Sequence, residues 1–147
     1  VYKRQINWGG TRLLAYQARF LAFNGRTPRR TKQISHICGV PEPNGYTVCI
    51  VESHMTDDTK RDNDKRMTCH SFIRHYELRH RRDGQRQRGT IFVKDVPSTD
   101  KRIIAKKVMG IYKQNDLDGV KGAQYVCPHI NNPCFINYSE LSHNHVD

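Results

Sequence analysis

An α+β fold stapled by bound metal is what this sequence predicts, and three observations predict it. Strand-like and helix-like segments alternate along a chain of 147 residues, a length that suits one domain. Hydrophobic residues make up 36% and the mean hydropathy is −0.79, so apolar burial is thin for this length and another staple is needed. Five cysteines and eight histidines stand at short mutual spacings. An odd cysteine count leaves a disulfide framework one thiol over, and Cys with His in a reduced compartment reads as zinc ligation.

Residues 1–33 mix apolar and basic side chains, as in "TRLLAYQARFLAFNG", which fits short strands or one amphipathic helix ending at Gly25. "RTPRRTK" is a basic connector broken by proline, "QISHIC" a short strand and "GVPEPNGYT" a turn-rich stretch. "CIVESHM" resumes as strand or turn, and a helix is expected from about Asp58 to Met67 with Thr56 or Asp57 as its N-cap. "TIFVKDV" then reads as a strand, "TDKRIIAKKVMGIYKQN" as a helix capped by Ser98, Thr99 or Asp100, and "CPHINNPC" as a tight knuckle. No repeat, low-complexity tract or linker divides the chain, so residues 1–147 are read as a single domain.

The formal charge of +11 and the pI near 9.7 are spread over the whole chain, which points to a polyanion partner. Residues 74–88 are the densest part: Arg74, Arg79, Arg81, Arg82, Arg86 and Arg88 stand against Glu77 and Asp83, a composition that faces phosphate. A membrane partner is disfavoured, because no amphipathic basic helix and no long apolar run stands out. No signal or transit peptide is recognisable, and the opening Val1 fits a fragment or a processed product.

Two metal-ligating sets can be written. Tetrahedral zinc needs four ligands at about 2.0–2.3 Å, and pairs close in sequence are cheaper to assemble. The first set is Cys38, Cys49 and His54, in the form C-x10-C-x4-H. It is one ligand short, and His36, His70, another side chain, a water or a residue outside this chain are open as the fourth. The second set joins Cys69 to the C-x-H-x4-C of Cys127, His129 and Cys134 and is complete as Cys3His. His75 and His80 are alternative partners for Cys69, although they lie in the arginine-rich run. Residues 70–126 then form a basic insertion between zinc ligands.

The order "SHIC", C, "SHM", N, R, "CH", followed by the C-x-H-x4-C knuckle, resembles the His-Cys box homing endonucleases, a branch of the ββα-metal (His-Me finger) nucleases. The resemblance runs from about Gly10 to Cys134. It implies a ββα-metal core stapled by one or two structural zinc sites, with His36 as general base and Cys38 as a zinc ligand. In a strand, residues two apart share a face, so base and ligand can be neighbours without sharing a site. It places the catalytic magnesium on Asn63, nine residues after His54, and an assisting arginine in "GGTR" at Arg12. The loop between Cys38 and Cys49 and the segment from Cys69 to Cys127 are longer than the family pattern, and its upstream cysteine is absent.

The expected function is therefore a Mg2+-dependent DNA endonuclease, homing-endonuclease-like, acting on double-stranded DNA. Its cofactors would be structural Zn2+ and catalytic Mg2+, with no small-molecule substrate. The resemblance implies a homodimer and a nuclear or otherwise intracellular, reducing compartment. The alternative is a catalytically inactive zinc-stabilised module that binds nucleic acid, as a regulator or part of a mobile-element protein. That reading needs the charge and the zinc but not His36 and Asn63 together.

Overall fold

Both patterns expected as alternatives near the N-terminus are present. Strands β1 (Gln5–Trp8) and β2 (Thr11–Leu14) pair antiparallel across a turn at Gly10, whose φ of 83° suits glycine. Helix α1 (Ala15–Asn24) follows at once. Gly25 closes it in the left-handed conformation, φ 66°, with its N–H donating to the Leu21 carbonyl. The computed structural model describes residues 5–8, 10–39, 49–80, 89–111, 120–121 and 124–138.

After α1 the basic connector is tied to the sheet by one carboxylate. Asp57 Oδ2 accepts from Arg26 Nη1 at 3.2 Å and from the Arg29 backbone N–H at 3.0 Å. The connector leads into β3 (Lys32–His36), which pairs antiparallel with β4 (Met55–Thr59), from Lys32 opposite Thr59 to His36 opposite Met55. Glu52–His54 make a single 3-10 turn before β4.

Helix α2 (Lys60–His80) begins where β4 ends and packs on both strands. The cap differs from expectation, because β4 carries the chain through Thr56, Asp57 and Asp58 as paired strand. Thr59 caps instead: its Oγ1 accepts the Asp62 N–H at 3.2 Å and donates to Asp62 Oδ2 at 3.0 Å. The helix also outruns its expected end at Met67, adding the start of the basic stretch to a rod of 21 residues, about 30 Å long.

The segment from residue 70 onward supplies most of the core. Phe72 and Ile73 of α2 meet Ile91 of β5 (Thr90–Phe92), Val93 and Val96. Ile104, Ala105 and Val108 of α3 (Ser98–Ile111) close the same cluster. "TIFVKDV" is thus a short strand followed by a 3-10 turn at Val93–Asp95, and Ser98 to Asp100 lie inside the first turn of α3. β6 (Val120–Lys121) pairs with β7 (Gln124–Tyr125), and Tyr125 stacks on Phe72 with centroids 4.8 Å apart.

The last strand, β8 (Phe135–Asn137), pairs with β5 and also touches the end of β3. The Gly39 N–H donates to the Phe135 carbonyl at 2.7 Å, and the Phe135 N–H to the Ile37 carbonyl at 3.3 Å. A side chain at Gly39 would meet the His70 ring and Ile136 at 2.8 Å, so only glycine permits this approach. No helix among the described residues is long and apolar enough to cross a membrane.

Candidate metal centres

The second cysteine set converges as written. Donor atoms of Cys69, Cys127, His129 and Cys134 all lie within 4.8 Å of one another. His129 Nδ1 is 3.6 Å from Cys69 Sγ, 3.5 Å from Cys127 Sγ and 3.4 Å from Cys134 Sγ. Cys69 and Cys127 sulfurs are 3.6 Å apart. A tetrahedral zinc with ordinary bond lengths sets such donors roughly 3.5–3.8 Å apart, so the group fits the ion. His75 and His80 are not partners of Cys69: His80 Nε2 lies 3.1 Å from Asp100, and His75 lines a cleft between α2 and α3.

Residues on one stripe of α2 hold the knuckle. Asp62, Arg66 and Cys69 stand at i, i+4 and i+7, which share a helix face. Cys69 is a donor of the set. Arg66 is 3% exposed, and its Nη1 reaches Cys134 Sγ at 3.2 Å and the Asn132 carbonyl at 2.8 Å. Its Nε pairs with Asp58 of β4 at 2.7 Å. Three thiolates around a dication would leave one negative charge, and the guanidinium, which also pairs with Asp58, lies against it. His129 Nε2 donates to the Asp62 carbonyl at 2.9 Å, which fixes the tautomer that presents Nδ1 to the sulfurs. Tyr125 OH lies 2.9 Å from Cys69 Sγ.

The thiols of this set hold one another's protons. Hydrogen bonds from Cys134 and Cys69 pull Cys127 well below the usual thiol range, while burial pushes Cys69 up. A divalent cation resolves that competition by taking all three as thiolates.

The first set also converges. Cys38, Cys49 and His54 present donors within 4.8 Å of one another, with Cys49 Sγ 3.5 Å from His54 Nδ1. The shared hydrogen bond with Cys49, then burial, pushes the Cys38 thiol up. Among the described residues no fourth His, Cys, Asp or Glu joins this group. His70 is engaged elsewhere, its Nε2 donating to the Ile37 carbonyl at 2.8 Å. Burial holds its imidazole down at about 3, so it stays neutral.

His36 stands beside the first set and outside it. Its Nε2 donates to the Cys49 carbonyl at 3.1 Å, and the Tyr16 ring of α1 meets it edge-on at 5.0 Å. Asn63 is half-buried in the first turn of α2, immediately after the Asp62 gripped by His129. Arg12 is exposed on β2. Of the arginines named from the sequence, Arg74 and Arg79 lie on α2, and Arg79 is paired with Asp100 at 3.3 Å. Arg81, Arg82, Arg86 and Arg88 lie outside the described residues.

Two features were missed. Arg66, the arginine between Asn63 and Cys69 in the motif, is given no role from the sequence, although its spacing from Cys69 could have marked it. The exposed Arg102, Lys106 and Lys107 of α3 form a basic face with no carboxylate partner among the described residues.

No protein-family model, curated protein or solved structure matches this chain, so the donor sets and their surroundings carry the functional argument.

Proposed function

We propose that this protein is a zinc-stapled, magnesium-dependent endonuclease of double-stranded DNA. The observation that carries the reading is the hydrogen bond from His36 Nε2 to the Cys49 carbonyl. A carbonyl accepts only from N–H, so the neutral imidazole keeps its basic lone pair on Nδ1, the form a general base needs. The order β3, β4, α2 supports it further, with His36 ending the first strand and Asn63 opening the helix.

In this reading His36 accepts the proton of the attacking water at Nδ1 and Tyr16 limits rotation of its ring. Asn63 would hold the magnesium, whose charge stabilises the leaving oxygen; a neutral amide leaves that charge undiminished. Structural zinc on the Cys3His group, and on Cys38, Cys49 and His54, supplies folding free energy. DNA would run over the basic face of α3 and the arginines of α2.

Nicking of supercoiled plasmid by the purified chain in magnesium, against the same reaction in EDTA, tests the proposal. Cleavage in magnesium that His36→Ala suppresses supports it. A protein that binds plasmid but never cuts it in any divalent metal is the inactive zinc module instead.

A further inference from the structure

We propose that His129 is a positioning residue for Asn63. The inference rests on the reading of Asn63 as the magnesium ligand and adds a second task for a zinc-binding imidazole. One ring nitrogen, Nδ1, faces three sulfurs at 3.4–3.6 Å. The other donates at 2.9 Å to the Asp62 carbonyl, across 67 residues of chain. That carbonyl belongs to the peptide unit whose nitrogen is Asn63's.

The same peptide segment is held from its other end. Thr59 Oγ1 accepts the Asp62 N–H and donates to the Asp62 carboxylate. First turns of helices fray, because their N–H groups lack partners within the helix. Here Thr59 grips Asp62 on the strand side and His129 grips it on the knuckle side, so the backbone carrying Asn63 has two fixed points. A metal held by Cys69, Cys127, Cys134 and His129 Nδ1 would fix the ring and aim Nε2. His129 would thereby link the knuckle to the backbone that carries Asn63, without touching substrate.

His129→Cys separates the two tasks. A fourth thiolate keeps a four-ligand zinc group but has no second nitrogen to reach Asp62. The zinc-loaded variant should contain as much zinc as the wild type. Amide hydrogen exchange of residues 60–66 should speed by about tenfold, the loss of one well-placed hydrogen bond, while later turns of α2 stay protected. Affinity for Mn2+, read by electron paramagnetic resonance, should fall about 10- to 100-fold, as outer partners of metal ligands do when removed. Zinc-loaded His129→Cys with unchanged exchange at residues 60–66 overturns the proposal. Should the variant fail to hold zinc, the wild type decides: long-range proton–nitrogen spectra must show His129 Nε2 protonated and slow to exchange, and a bare or freely exchanging Nε2 overturns it. Faster exchange in the variant of a protein that neither binds Mn2+ nor cuts DNA keeps the backbone clamp and overturns the nuclease reading.

Discussion

His36 leans on Cys49 without joining its donor set: the imidazole Nε2 lies 3.1 Å from the Cys49 carbonyl, while Cys49 Sγ faces His54. The converging donors are those of Cys38, Cys49 and His54, and the His36 ring is not among them. His36→Ala should therefore leave zinc content and melting temperature nearly unchanged. Plasmid cleavage should fall by about 10² to 10⁴, the usual worth of a positioned general base. Loss of zinc from His36→Ala would make His36 a ligand.

Zinc should be found at two per chain, since both donor sets converge. Cys134→Ser should behave unlike His36→Ala. Its sulfur is buried in the main core and accepts from Arg66, so its loss removes a ligand and one of the acceptors that hold the guanidinium. Structural zinc contributes on the order of 10 kcal/mol to such sites, and the variant should lose its cooperative thermal transition. Circular dichroism with elemental analysis checks both.

Arg66→Met leaves Asp58 without its partner and the knuckle without its charge balance. Breaking one side of a buried pair costs about 3–5 kcal/mol, measurable by urea unfolding of the zinc-loaded protein. Asp58→Asn in the same chain should recover a good part of that loss. No recovery would show that Arg66 acts through Cys134 and Asn132 alone.

The basic face of α3 should carry more of the DNA binding than Arg79, which Asp100 already neutralises. Arg102→Gln, Lys106→Gln and Lys107→Gln together should flatten the salt dependence of duplex binding, by about 0.9 in log–log slope for each phosphate that is no longer neutralised. Arg79→Gln should change it less. An unchanged slope in the triple variant would put the DNA elsewhere.

His75 reports on the same face. Burial, then Lys107 and Arg74, hold its imidazole below the ordinary 6.5. A depressed folded value means that the unfolded chain binds more protons between that value and 6.5. Stability from this group is complete above 6.5 and is lost as pH falls to the folded value. Phosphates beside Lys107 and Arg74 would counter their part of the push, so DNA binding should raise the His75 pKa and take up protons below pH 6.5. Nuclear magnetic resonance titration with and without duplex reads the shift, and a fixed pKa would mean the cleft is not at the interface.

The donor sets were legible because their spacing is local: C-x4-H and C-x-H-x4-C need little more than a turn each to close. Cys69, 58 residues before Cys127, was legible by a different route, since only a four-ligand count had to be completed. Arg66 was not, because its role depends on the Asn132 carbonyl 66 residues away, and no period in the sequence encodes that meeting. The start of α2 was misread because "TDDT" carries good caps at every position, and pairing with β3 decided which one the helix uses. Both short strands and a helix fit residues 1–33, and the chain uses one after the other, with Gly10 and Gly25 as the punctuation.

The bonds that join α2 to the knuckle have a consequence for the timing of biosynthesis. His129 and Cys134 meet Asp62 and Arg66 across 67 and 68 residues, and Phe135 closes on Ile37 and Gly39 from farther still. Contacts so distant in sequence form late, after most of the chain has collapsed. On the ribosome, β3, β4 and α2 emerge well before the residues that fasten them. A nascent chain therefore presents His36 and Asn63 well before β8 and the knuckle can fasten the elements that carry them, so the proposed cutting activity would wait until those residues have left the exit tunnel.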